Sequence, residues 1–174
     1  VGITTVVHLA ARVHVMQDTE VDPLSAFRAV NVAGTLNLAR QSFDSGVKRF
    51  VFISSIGVNG SKSPLGKPFI ESDPPNPHNA YALSKWEAEQ GLLSIAGETG
   101  LEVVIIRPPL VYGFNAPGNF GSLMRAVQRS WPLPLGAVHN QRSLVAQGNL
   151  VDFIINCVTL PQAANQTFLV SDGQ

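Results

Sequence analysis

Tyr81 and Lys85 stand four positions apart in a stretch that reads as the start of a helix, a spacing that sets a phenol and an ammonium on one face about one turn apart. A lysine charge beside a phenol favours phenolate, drawing a pKa of about 10 toward neutrality so that the tyrosine can exchange protons with a substrate hydroxyl. Ser54 and Ser55 close an apolar run, and Ser55 precedes Tyr81 by 26 positions, room for an excursion that returns the helix start beside the strand end. A hydroxyl there can hydrogen-bond the reacting oxygen and polarise it while Tyr81 moves the proton. Plainer alternatives exist for each: Tyr81 as a partly buried ring beside a surface lysine, the two serines as caps of a turn.

These residues need a scaffold, and the apolar pattern supplies one. Val6-Val7-His8-Leu9-Ala10, Arg49-Phe50-Val51-Phe52-Ile53-Ser54 and Glu102-Val103-Val104-Ile105-Ile106-Arg107 are apolar runs of strand length. Continuous rather than alternating apolarity implies strands buried on both faces, as in a parallel sheet covered by helices. Between the first two, Asp22 as N-cap, Pro23 at the first helical position, apolar residues at near-helical spacing and Gly46 as a stop predict a helix over 22–43. A second helix is predicted over 79–96, ended by Gly97 and Gly100. The alternation gives an α/β fold. The stretch 55–78, rich in Gly, Pro, Ser and Asn, follows a strand's C-terminal end, where open α/β sheets bind ligands. Residues 108–121 make a second such crossing, followed by a helix over 119–129, a helix capped by Asn149 and running through Leu160, and a last strand over 167–171.

At 174 residues with 45% hydrophobic and 14% charged positions, the chain is long enough for one domain burying roughly 70% of its unfolded surface. Twelve Lys and Arg balance twelve Asp and Glu, without the basic stripe that binding to nucleic acid requires. Cys157 is the only cysteine, which forbids an intrachain disulfide and points to a reducing, cytoplasmic setting. His8, His14, His78 and His139 are scattered without metal-ligand spacing, so no metal site is expected. No apolar run approaches the roughly 20 residues that span a bilayer, and no cationic leader precedes one, so no membrane association is expected. The sequence opens without Met directly on a β-rich run, as though beginning inside a fold.

Seven segments in order resemble the extended short-chain dehydrogenase/reductases that act on nucleotide sugars, of the UDP-glucose 4-epimerase type. They are His8-Leu9-Ala10-Ala11, Asn31-Val32-Ala33-Gly34-Thr35, Phe52-Ile53-Ser54-Ser55 with Gly60 following, Tyr81-Ala82-Leu83-Ser84-Lys85, Arg107-Pro108-Pro109-Leu110-Val111-Tyr112-Gly113, Gly118-Asn119-Phe120 and Arg142-Ser143-Leu144-Val145. The resemblance implies a partial Rossmann-like, doubly wound parallel sheet with helices on both faces, in which 1–112 form the C-terminal half of the dinucleotide-binding fold and 113–174 begin the substrate region. It implies NAD as cofactor, with NADP left open. Ser55, Tyr81 and Lys85 would be the catalytic group. Leu9, Ala10 and Ala11 would pass the adenosine and ribose side of NAD, Asn31 would support the loop after Leu9, Lys85 would also hold the nicotinamide ribose, and Pro108 would border the nicotinamide. On the substrate side, Asn119 and Phe120 would receive the nucleotide, Leu133 and Leu135 would sandwich its base, and Arg142 would pair with the diphosphate.

The implied activity is UDP-hexose 4-epimerisation through a 4-keto intermediate; alternatives are reduction of a UDP-4-keto-6-deoxy sugar and a non-catalytic nucleotide binder on the same fold. The long helices from Asp22 and Asn79 commonly form a homodimer interface in this family. Three departures stand out. Ala146-Gln147-Gly148-Asn149 replaces the Val-Asp-Asp or Val-Asp-Asn turn usual after the matched arginine, which puts the surroundings of Arg142 in question. Ile56 and Gly57 stand where 4,6-dehydratases carry an acidic pair, which disfavours dehydration. The Gly-x-x-Gly-x-x-Gly turn for the pyrophosphate is missing, so the first strand here corresponds to the family's fourth. As supplied, the chain is expected to bind dinucleotide weakly and to present its first strand as an edge paired with another chain or covered by its own N-terminus.

Overall fold

The computed structural model describes residues 2–13, 22–114, 118–133, 136–137 and 141–173. Leu135, His14 and His139 lie outside the described residues. Four parallel strands form the main sheet in the order β1 (Thr5–His8), β2 (Arg49–Ile53), β3 (Glu102–Arg107) and β6 (Thr167–Leu169). Because strand side chains alternate, the apolar run of β2 feeds two cores at once. Phe50 and Phe52 join Val103 and Ile105 under α2 (Thr35–Asp44) and α3 (Ala80–Thr99), while Val51 joins Val104 and Ile106 under α5 (Gln147–Thr159). The sheet is therefore covered on both faces, as the uninterrupted apolar strands require.

The predicted helix over 22–43 starts where expected, with Asp22 accepting from the Ser25 amide at 3.2 Å. It is not uniform. α1 (Pro23–Phe27) passes into a π-helical stretch, Arg28–Gly34, before tightening into α2. Such wide turns concentrate at functional sites, and here the stretch contains the buried Asn31. α3 begins at its Asn79 cap, which accepts from the Ala82 amide at 2.7 Å. It runs past Gly97 to Thr99, because only Gly100, at φ 78°, takes the left-handed conformation that ends it.

Two features depart from the sequence expectation. β4 (Leu110–Tyr112) and β5 (Leu144–Ala146) form a second parallel pair, too short to show a periodicity. β5 then runs directly into α5, so the helix starts at Gln147 and Asn149 is not its cap. The Ala146 amide is satisfied from outside the segment, by Asp172 Oδ2 at 2.9 Å, and Asn149 Nδ2 donates to Asp172 Oδ1 at 2.8 Å. At its other end α5 is held by Arg49, whose Nη1 donates to the carbonyls of Cys157, Val158 and Leu160. α4 (Gly118–Gln128) precedes β5 in the chain. β1 is the outer strand of the main sheet, and among the described residues no strand pairs with its open side. No helix among them is long and apolar enough to cross a membrane.

Candidate active site

The chain leaving β2 stays zipped to the end of β3: the Ser54 amide donates to the Ile106 carbonyl at 2.7 Å and the Ile56 amide to that of the buried Pro108 at 3.0 Å. Between them Ser55 is extended, and its Oγ accepts from the Gly57 amide at 3.1 Å, opening a 3-10 turn over Ile56–Val58. Gly57 is the contact point of that turn. A Cβ there would meet Ser55 Oγ and Ala82 Cβ, each at 3.3 Å, so the serine turn lies against the first turn of α3, where Tyr81 is carried.

Tyr81 is partly buried and edge-on to Phe27, with ring centroids 6.2 Å apart. Lys85 is only 1% exposed, and its Nζ lies 4.1 Å from the centroid of the Phe52 ring. Burial lowers its ammonium to about 8, against the opposing pull of Glu89. Burial pushes the Tyr81 phenol up, the reverse of the direction expected from the Tyr-x-x-x-Lys spacing. The reason is that both groups are desolvated, so each is driven toward its neutral form. His8, at the end of β1, stacks on Phe52 with centroids 5.9 Å apart, and its Nε2 is 3.0 Å from Thr35 Oγ1. Its own burial, then the charge of Lys85, hold it below the usual histidine range.

Asn31 reaches across from the π-helical stretch to the loop after β1. Its Oδ1 accepts from the Arg12 amide at 2.7 Å, and its Nδ2 donates to the Arg12 carbonyl and to Ser84 Oγ, each at 3.0 Å. One buried side chain thus fixes the loop of Leu9, Ala10 and Ala11 to α3. Leu9 and Ala10 are exposed and Ala11 is half-buried, leaving that loop open to a ligand.

Two neighbouring surface cavities lie on this side, the first of them reaching the serine turn at Ile56. One of about 260 Å³ is lined by Ile56, Pro109, Glu71 and Ser143, and another of about 310 Å³ by Tyr112, Arg142, Ser143 and Asp172. Ser143 and Ser171 line both, so the cavity beside the exposed Arg142 neighbours the one lined by Ile56; Ser55 itself lines neither. Asp172 accepts from Tyr112 Oη at 2.8 Å as well as from Ala146 and Asn149. In the 146–149 segment that departs from the family turn, Ala146 and Asn149 are therefore held by a carboxylate from near the C-terminal end of the described residues. Asn119 and Phe120 fall in the first turn of α4, with the Phe120 ring 5.5 Å from that of Tyr112. Leu133 is 38% exposed.

Of the two serines read from the sequence, Ser54 is buried and its hydroxyl donates to Glu89; sequence reasoning missed Asp172 and the buried polar cluster that Asn59, Glu89 and Arg107 make with Ser54. Two signals were available: Glu89 lies one turn after Lys85 on the same helix, and Arg107 ends an apolar strand.

The sequence model of a known family, described as the NAD dependent epimerase/dehydratase family, matches residues 1–170. The chain belongs to that family. Within the epimerase/dehydratase family, it is 56% identical over 171 residues to a UDP-glucose 4-epimerase of Vibrio cholerae, a match spanning 98% of this chain and 52% of that protein. It is 34% identical over 155 residues to the N-acetyl-alpha-D-glucosaminyl-diphospho-ditrans,octacis-undecaprenol 4-epimerase of Escherichia coli O157:H7, spanning 88% of this chain and 45% of the other. Among solved structures it resembles the Thermotoga maritima UDP-glucose 4-epimerase with UDP-glucose, at a TM-score of 0.80 and 26% identity over 98% of this chain and 56% of that one. It also resembles the DesIV double mutant, a dTDP-glucose 4,6-dehydratase from Streptomyces venezuelae with NAD bound, at 0.82 and 28% over 99% and 53%. The chain spans about half the length of the curated relatives it matches. The residues present suit the family's cofactor on this side of the sheet. Lys85 is a buried ammonium set on the Phe52 ring face, with no ion-pair partner among the described residues, a donor suited to a neutral diol such as a ribose.

Proposed function

We propose that this chain carries the catalytic centre of an NAD-dependent nucleotide-sugar epimerase, acting on UDP-hexoses at C4 through a 4-keto intermediate. The observation that carries the reading is the seating of the Ser55 turn on the first turn of α3, beside Tyr81 and one turn from the buried Lys85. The 56% identity to a UDP-glucose 4-epimerase supports it. NAD, when bound, supplies the hydride acceptor and donor that the side chains lack. Ser55 Oγ holds the sugar O4 and polarises it; Tyr81 takes the O4 proton and returns it. Lys85 orients the ribose and sets the charge beside Tyr81. Leu9, Ala10, Ala11 and Pro108 form the cofactor's walls, with Asn31 fixing the first three through Arg12. Arg142 binds the diphosphate, while Asn119, Phe120, Leu133 and Leu135 surround the nucleotide.

The absence of a carboxylate at Ile56 and Gly57 supports epimerisation over dehydration. The working form is a cytoplasmic homodimer joined through α2 and α3, whose Leu38, Phe43 and Leu93 are exposed. The test is to express the natural protein that contains this chain, assay co-purified NAD by mass and absorbance, and supply UDP-galactose or a UDP-4-keto-6-deoxy sugar. Formation of UDP-glucose from the first supports the reading. Net reduction of the second, with no epimerisation of any UDP-hexose, would replace it with the keto-sugar reductase.

A further inference from the structure

Glu89 lies one helical turn beyond Lys85, is 1% exposed, and gathers three donors on one carboxylate. Ser54 Oγ donates to its Oε1 at 2.5 Å, Arg107 Nε to the same oxygen at 3.0 Å, and Arg107 Nη2 to Oε2 at 2.6 Å. Arg107, 6% exposed, passes its Nη1 to Asn59 Oδ1 at 3.0 Å, and Asn59 Nδ2 donates to the Ile70 carbonyl at 3.2 Å. The chain of bonds runs from α3 through the end of β3 to the residue after the serine turn and on into the long loop over 60–78.

A buried ion pair is weak evidence for stability, because apolar residues of similar volume commonly do as well. What sets this one apart is where its ends fall. Ser54 precedes Ser55, Glu89 follows Lys85 by one turn, and Asn59 follows the Ile56–Val58 turn that Ser55 opens. Three of the four links thus lie within four positions of Ser55 or Lys85, and Arg107, at the end of β3, joins them.

We infer that Glu89 is a positioning residue for the reaction, locking the end of β2 to α3 so that Ser55, Tyr81 and Lys85 keep one relative placement, and extending that lock through Arg107 and Asn59 to the loop over 60–78. The inference rests on the functional reading above and deepens it. A displacement of about 1 Å at a reacting group costs up to 10²-fold in rate, so a bond that sets register is worth more to turnover than to binding. The carboxylate has a second effect. Lys85 faces Tyr81 and Glu89 on its own helix, His8 on β1 and, behind Glu89, Arg107 on β3; of these Glu89 is the one that favours its charged form.

The experiment uses the natural protein containing this chain, in two variants. Ser54→Ala removes one hydroxyl and leaves the Glu89–Arg107 pair whole, so it carries the test even if Glu89→Gln fails to fold. Ser54→Ala is expected to lower kcat by about 5–30-fold with the KM for UDP-hexose and the affinity for NAD within about threefold, the pattern of a misplaced reacting group. Glu89→Gln is expected to lower kcat by about 10–100-fold and to move the alkaline limb of the kcat profile to lower pH, because Lys85 then loses its proton more readily. A kcat within twofold of wild type in folded Ser54→Ala, or an unmoved alkaline limb in folded Glu89→Gln, would overturn the inference alone. No turnover of any UDP-hexose by the wild-type protein would overturn the functional reading and this inference with it.

Discussion

Lys85 is the residue at which function and stability pull apart. Its ammonium is buried without an ion-pair partner among the described residues, and its pKa of about 8 lies below the ordinary 10.5. Folded protein therefore holds fewer protons than unfolded between these values: the burial penalty is present in full below about pH 8 and is relieved as the pH rises to 10.5. At about 1.4 kcal/mol per unit, the penalty is on the order of 3 kcal/mol at neutral pH. Lys85→Met is accordingly expected to stabilise the nucleotide-free protein by about 1–3 kcal/mol at pH 7, a gain that shrinks toward pH 10.5, while abolishing turnover. Denaturant melts at the two pH values check it, and a less stable variant at pH 7 would contradict it. Asn31 is the opposite case. Asn31→Ala removes the bonds from this side chain to the Arg12 amide and carbonyl and to Ser84 Oγ, and is expected to cost about 1–3 kcal/mol and to loosen the Leu9–Arg12 loop, seen as weaker NAD binding in calorimetry. At this scale the sequence made legible that the Ser55 turn returns to the first turn of α3, which carries Tyr81 one turn before Lys85, because that much follows from spacing. The direction of the Tyr81 shift was not legible, since it depends on how deeply two neighbours are buried, which no spacing encodes.

Among the elements, the decisive joint is the one between the Ser55 turn and α3. Gly57 allows it, since a side chain there would meet Ser55 Oγ and Ala82 Cβ together. Gly57→Val is expected to destabilise by about 1–3 kcal/mol through overpacking and to lower kcat more than it raises KM, a split that steady-state kinetics resolves. Unchanged kcat would show that the joint tolerates a shift. β2, β3 and α3 were readable because long apolar runs and a capped helix announce themselves. β4, β5 and the start of α5 were not: three-residue strands carry no period, and the carboxylate that satisfies Ala146 arrives from Asp172, 26 positions away. The π-helical stretch was hidden for a similar reason, since its widening accompanies a long-range bond from Asn31 to Arg12 rather than any local residue preference.

In the whole molecule, the two-faced core explains why so much apolar surface remains at α2 and α3: their inner sides fill the sheet's face, and Leu38, Phe43 and Leu93 remain outside. If the proposed homodimer forms through this face, Leu93→Lys is expected to shift the natural protein to monomer in sedimentation, with its melting curve little changed; a monomeric wild type, or a dimer unaffected by the charge, would contradict the proposed interface. Among the described residues no strand pairs with the outer edge of β1, and an edge of that kind is a template for strand pairing. Whether all of this serves proton transfer at a sugar hydroxyl is decided by one substitution. Tyr81→Phe keeps the ring against Phe27 and deletes only the hydroxyl. In the natural protein, with UDP-galactose as substrate, kcat is expected to fall on the order of 10²–10⁴-fold while UDP affinity stays unchanged; a kcat within about threefold of wild type would show that Tyr81 does not carry the proton.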